Sequence, residues 1–113
     1  MCIRDRYKIG NLIYTAGVTA NDPETQKMVA PGDIIGQTEQ IMKNMQAILE
    51  EAGSDLAHII KTMVFVKDIE DFAKFNEAYK KFFPNNPPAR STMQVGNFLG
   101  DMVIEIEAIA TEK

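Results

Sequence analysis

Arg90 and Glu105 are the side chains in this sequence whose type and placement best suit work on a small charged molecule. Arg90 follows Pro87-Pro88-Ala89 and opens a strand-like run that reaches Val95. The prolines lock φ and hold the residues before them extended, so the guanidinium is delivered at the mouth of a strand. Its rigid fork of donors matches a carboxylate, which a lysine does not reproduce. Glu105 lies in a second run, where Met102, Ile104, Ile106, Ala108 and Ala110 alternate with Val103, Glu105, Glu107 and Ile109. A carboxylate so placed can act as a general base. If the two runs pair as a hairpin, guanidinium and carboxylate share one neighbourhood. By residue pattern alone, a salt bridge at Arg90 and a solvated edge-strand glutamate at Glu105 fit as well. Glu107 is on the same face about 7 Å further along and is assigned a structural role.

Other chemistries find little support. His58 is the single histidine, and no second His or Cys stands at ligand spacing, so no metal is expected. No Gly-rich phosphate loop and no Ser/His/Asp set is visible, and no cofactor is expected. The net charge of −4 disfavours nucleic-acid binding, which needs a basic footprint. Cys2 is the single cysteine, so no internal disulfide framework exists. No apolar run approaches a membrane span. The expected setting is cytoplasmic.

The 113 positions suit one domain, and 45% apolar with 25% charged residues is an ordinary globular balance. Asn11 to Val18 reads as a strand closed by Gly17. Asn21 to Thr25 is turn chemistry, and Lys27 to Ala30 is short enough for a return strand. Asp33 to Ala52 is the clearest helix: Ile34, Thr38, Ile41, Met45, Ile48, Leu49 and Ala52 recur at spacings of three and four, and Gly53 stops it. Ile59 to Lys67 is a strand in which Thr62, Val64 and Val66 alternate with Met63 and Phe65. Both faces are apolar, so both need cover, and a partner subunit is the economical source. Asp68 opens a second helix as N-cap; Phe72, Phe75, Tyr79 and Phe82 form its core stripe and Pro84 ends it. Asn76 lies one residue off that stripe, where a cleft is within its reach, although on pattern alone it is solvated surface. Two helices among at least four strands define an α+β fold.

"PPARSTMQV" followed by "VIEIEAIA" resembles the end of the RidA/YjgF family of reactive-intermediate (enamine/imine) deaminases. The resemblance continues through "GNLIYTAGV", "DIIGQTEQIMKNMQAILEEAGS" and "IIKTMVFVKDIEDFAKFNEAY", from about Lys8 to the end. It implies a chorismate-mutase-like, ferredoxin-related fold: a mostly antiparallel sheet, two helices on one face, and a homotrimer with a central barrel and sites between subunits. It implies that Arg90 binds a substrate carboxylate, that Glu105 positions or activates water, and that the backbone at Gly17 approaches the ligand. Asn76 matches a cleft-lining asparagine. Ala16 stands where many members have Ser, and Thr92 where many have Cys, a position that acts mainly through its carbonyl. Phe98-Leu99 replaces a usual Leu-Pro. Met1 to Arg6 departs from the family's Gly-Pro-Tyr-Ser-like start and is expected to be truncated or non-native, with residues 7–113 forming the domain.

The reaction so implied is cofactor-free hydrolysis of 2-aminoacrylate or 2-iminopropanoate type compounds to 2-keto acids and ammonia. Two other readings stay open. One is a non-catalytic ligand-binding or stress-protective trimer, since fold does not dictate activity. The other is a ribonuclease-type relative inhibiting translation.

Overall fold

The computed structural model describes residues 4–113. The chain runs β1 (Arg6–Ile9), β2 (Leu12–Thr15), α1 (Ile34–Glu51), a 3₁₀ turn at Leu56–His58, β3 (Ile59–Val66), a 3₁₀ turn at Ile69–Asp71, α2 (Phe72–Lys80), β4 (Ala89–Gln94) and β5 (Ile104–Thr111). This is the expected α+β class. Met1, Cys2 and Ile3 lie outside the described residues, so the expectation for the start of the chain meets the structure only from Arg4 onward. There Arg6 already belongs to β1, which pairs with β2. The return strand expected at Lys27 to Ala30 reduces to a single bridge between Asn21 and Met28.

The sheet order is β1-β2-β5-β3-β4. Every pairing is antiparallel except β3 with β4, which is parallel. The hairpin between β4 and β5 therefore does not form, because β3 lies between them. The cause is α2. A helix between two strands returns the chain to the same end of the sheet, so β3 and β4 run parallel. β5 must then take the other edge of β3.

α1 forms where the periodicity predicts it. Asp33 caps it, its carboxylate accepting from Ile35 N at 3.1 Å, and Gly53 follows at φ +89°. A left-handed residue there is cheapest as glycine. Asp68 caps the 3₁₀ turn that leads into α2 through Glu70 N at 2.9 Å, so it stands one short element earlier than expected. Both helices cover one face of the sheet. Thr62, Val64, Val66, Ile104 and Ile106 point into that core and are 0% exposed, as are Ile41, Met45 and Phe75 from the helices.

The opposite face carries Met63, Phe65 and Met93, all half-buried, with Tyr7, Tyr14 and Ile60 exposed. The expectation that both faces of β3 are apolar holds, and among the described residues no element covers the second face. Among the described residues no helix is long and apolar enough to cross a membrane.

Candidate active site

Arg90 sits on β4, an edge strand, opposite Thr62 of β3 in the parallel register. That register turns its side chain to the helix-covered face, beneath α2. One guanidinium N–H donates to Asn76 Oδ1 at 2.8 Å. The Arg90 Cζ lies 5.3, 5.4 and 4.9 Å from the ring centroids of Phe72, Phe75 and Tyr79. Among the described residues no carboxylate lies within ion-pair distance of it. Arg90 forms one wall of a cleft of about 360 Å³ shared with Asn76, Tyr79, Lys80, Pro87 and Pro88. Its cation is thus held in place and left unneutralised, which is what an incoming carboxylate requires.

Asn76 corrects the reading from pattern. It is half-buried and bonded to Arg90 rather than solvated. The signal was present: Phe72, Asn76 and Tyr79 recur at i, i+4 and i+7, one face of a helix. Counting only apolar residues hid it. The same bias assigned Phe72, Phe75 and Tyr79 to the core and missed that they also surround Arg90.

Glu105 lies on the other face of the sheet, opposite Phe65 in the β3–β5 register. It is half-buried, and burial, reinforced by the neighbouring Glu107, pushes its carboxyl above the usual glutamate value. Glu107 faces the same side opposite Met63. A carboxylate whose proton affinity is raised in this way is a stronger base and better suited to take a proton from water.

Gly17 stands beside Glu105 because β2 is interrupted. Tyr14 pairs with Ile109, yet Val18 pairs with Ile106, so β2 spends one residue more than β5 between the two pairings. This is a β-bulge, the device that re-aims backbone at sheet sites. Thr15 Oγ1 accepts from Ala108 N at 2.9 Å and fills the gap in the ladder. A Cβ at Gly17 would lie 2.6 Å from the Glu105 carboxyl carbon. Only glycine lets the carboxylate come this close. Among the described residues neither the N–H nor the C=O of Gly17 has a hydrogen-bond partner. Ala16 is tied to Asp5 through its N–H at 3.0 Å. Ala16 and Gly17 also line a cavity of about 560 Å³ with Asn21, Asn44 and Ile48.

The site residues therefore form two groups within one chain. Arg90 and Asn76 share the cleft under α2, with Thr92 on the same face of β4 opposite Val64. The Thr92 hydroxyl is buried and has no partner among the described residues. Glu105 and Gly17 form the second group, on the open face. Side chains on opposite faces of one sheet cannot meet, so a single chain does not bring Arg90 and Glu105 together.

This fold belongs to a class with solved members. It matches the YjgF gene product from E. coli with a TM-score of 0.88 at 40% identity, covering 96% of this chain and 87% of that one. The family model described as Endoribonuclease L-PSP matches residues 4–112. A RutC family protein of Pyrococcus abyssi is 47% identical over 103 residues, spanning 91% of this chain and 80% of the relative. The protein named Reactive Intermediate Deaminase A, chloroplastic, of Arabidopsis thaliana is 44% identical over 104 residues, spanning 92% of this chain and 55% of that one. The chain belongs to the RidA/YjgF/RutC family.

Proposed function

We propose that this protein hydrolyses reactive 2-imino acids, and the 2-enamino acids that tautomerise to them, to 2-keto acids and ammonia. The observation that carries this reading is Arg90: a guanidinium fixed at a cleft wall by Asn76 and three aromatic rings, with no carboxylate among the described residues beside it. The Arabidopsis relative named Reactive Intermediate Deaminase A supports the same reaction class.

In this reading Arg90 takes the substrate carboxylate. The backbone groups at Gly17 orient the imine. Glu105 removes a proton from water as the oxygen adds to the imine carbon, and returns one to nitrogen. The hydroxyl proton of the resulting carbinolamine then passes to nitrogen as the carbon–nitrogen bond breaks, releasing ammonia and leaving the keto acid. The substrate is already reactive, so positioning supplies most of the acceleration. No cofactor takes part.

Because Arg90 and Glu105 lie on opposite faces, the working site joins Arg90 of one copy to Glu105 and Gly17 of another. The uncovered face around Met63, Phe65 and Met93 supports assembly of copies through that face, as the homotrimer with a central barrel and chorismate-mutase-like arrangement would have it. An RNA substrate is disfavoured by the net charge of −4.

The test is ammonia release from 2-iminopropanoate generated in situ by an amino-acid oxidase. Acceleration over the spontaneous rate is expected. A rate equal to the spontaneous one at micromolar protein would refute the reading.

A further inference from the structure

The aromatic stripe of α2 has a second task besides filling the core. Phe72 and Phe75 lie with centroids 6.2 Å apart, Phe75 and Tyr79 5.1 Å apart, and Tyr79 and Phe83 4.9 Å apart, each pair tilted. The first three rings all lie within 5.4 Å of the Arg90 Cζ. Tyr79 is pinned in turn: its hydroxyl shares a buried 2.8 Å hydrogen bond with Thr62 Oγ1, and Thr62 is the residue opposite Arg90 in the sheet. Strand register, helix and rings thus locate one another.

A long arginine side chain loses considerable rotamer freedom when it is held still. Proteins commonly hold it with a carboxylate, which would cancel the charge that a ligand needs. Aromatic faces attract a cation without neutralising it. We propose that Phe72, Phe75 and Tyr79 are positioning residues for Arg90, holding its guanidinium still with its full charge available to a carboxylate ligand. They act on affinity for the carboxylate and not on the chemical step. The carboxylate part of this inference rests on the deaminase reading above; the positioning part does not.

Phe72 gives the cleanest test, because it is only partly buried and packs against the edge of the core, whereas Phe75 and Tyr79 are buried within it. Phe72→Leu removes one ring, and Phe72→Tyr keeps it. Three experiments are run on the whole chain: calorimetry for the dissociation constants of pyruvate and its uncharged analogue pyruvamide, kinetics for KM and kcat of imine hydrolysis, and NMR for the position of the Arg90 Nε–H, which nearby rings displace. Phe72→Leu is expected to weaken pyruvate binding about 3- to 30-fold, the range of one cation–π contact. Pyruvamide binding and kcat stay the same, KM rises, and the Nε–H signal moves toward that of a free arginine. Phe72→Tyr restores all of these.

Unchanged pyruvate affinity in Phe72→Leu would overturn the proposal. So would an equal loss for pyruvamide, which marks general damage to the fold. If the wild-type protein neither binds pyruvate nor releases ammonia while the Nε–H signal still shifts on Phe72→Leu, the deaminase reading falls and the positioning of Arg90 stands.

Discussion

Gly17→Ala separates folding from function most sharply. The added methyl would stand 2.6 Å from the Glu105 carboxyl carbon and 3.0 Å from its Cγ. Carbon atoms rest at about 3.5–4.0 Å, so the carboxyl group must retreat by roughly 1 Å. The atoms that move are the end of a side chain on the open face, so the fold itself is not strained. The Gly17 φ lies outside the left-handed region, and alanine there gains about 0.4–1 kcal/mol by restricting the unfolded chain. Relaxing the carboxyl offsets part of this, so the melting temperature is expected to stay within a few degrees of wild type. Catalysis is another matter, since a displacement of about 1 Å can cost a hundredfold in rate. The assay pairs a thermal melt with ammonia release from 2-iminopropanoate at equal protein concentration. Wild-type turnover by Gly17→Ala would show that Glu105 does not act from the place where the structure puts it. A collapsed melting temperature would show that the bulge, and not the carboxylate, is what glycine serves.

Arg90→Ala is expected to lose about 2–5 kcal/mol of carboxylate binding with the assembly unchanged by light scattering. Arg90→Lys should rescue it poorly, and near-normal turnover by the alanine variant would reduce Arg90 to a structural cation. Phe65→Asp charges the open face and is expected to yield a folded monomer in light scattering. Val64→Asp buries a charge in the core, where Val64 is 0% exposed, and should fail to fold. An oligomer of unchanged size in Phe65→Asp would rule that face out as the interface. Glu105→Gln should abolish ammonia release and raise the melting temperature at neutral pH. The sign follows from the raised carboxyl: below the unfolded pKa both states hold the proton and Glu105 is neutral to stability. Above it the unfolded chain ionises first and is favoured, a cost that grows until pH passes the folded pKa. The gain from Glu105→Gln should therefore vanish below about pH 4, and a gain independent of pH would contradict burial as the cause.

Much of the fold was legible because it is written locally. Apolar spacing of three and four marked α1, and Gly53 marked its end. Strict alternation in Met102 to Ala110 placed Ile104, Ile106, Ala108 and Ala110 on one face, which the structure turns to the core. β3 was readable as a strand but not as an orientation. With Val64 and Phe65 both apolar, periodicity has no polar face to mark the side that the helices take. Pattern alone left Asn76 solvated, and only the resemblance put it in a cleft, because its partner, Arg90, lies 14 residues away on another element.

By itself, then, the sequence determined the two helices, strands β2 to β5, the stop of α1 and the chemistry available: one arginine delivered by a proline turn, and one glutamate in an alternating strand. Only the tertiary structure decided where that chemistry goes. The α2 crossover makes β3 and β4 parallel, seats β3 between β4 and β5, and turns Arg90 under the helix while Glu105 faces out. It also surrounds Arg90 with rings and brings Glu105 against Gly17 across a bulge. Strand pairing joins residues far apart in the chain, and a shift of one residue in register exchanges the two faces. No local pattern encodes that choice; it follows from which assembly of elements buries the most apolar surface.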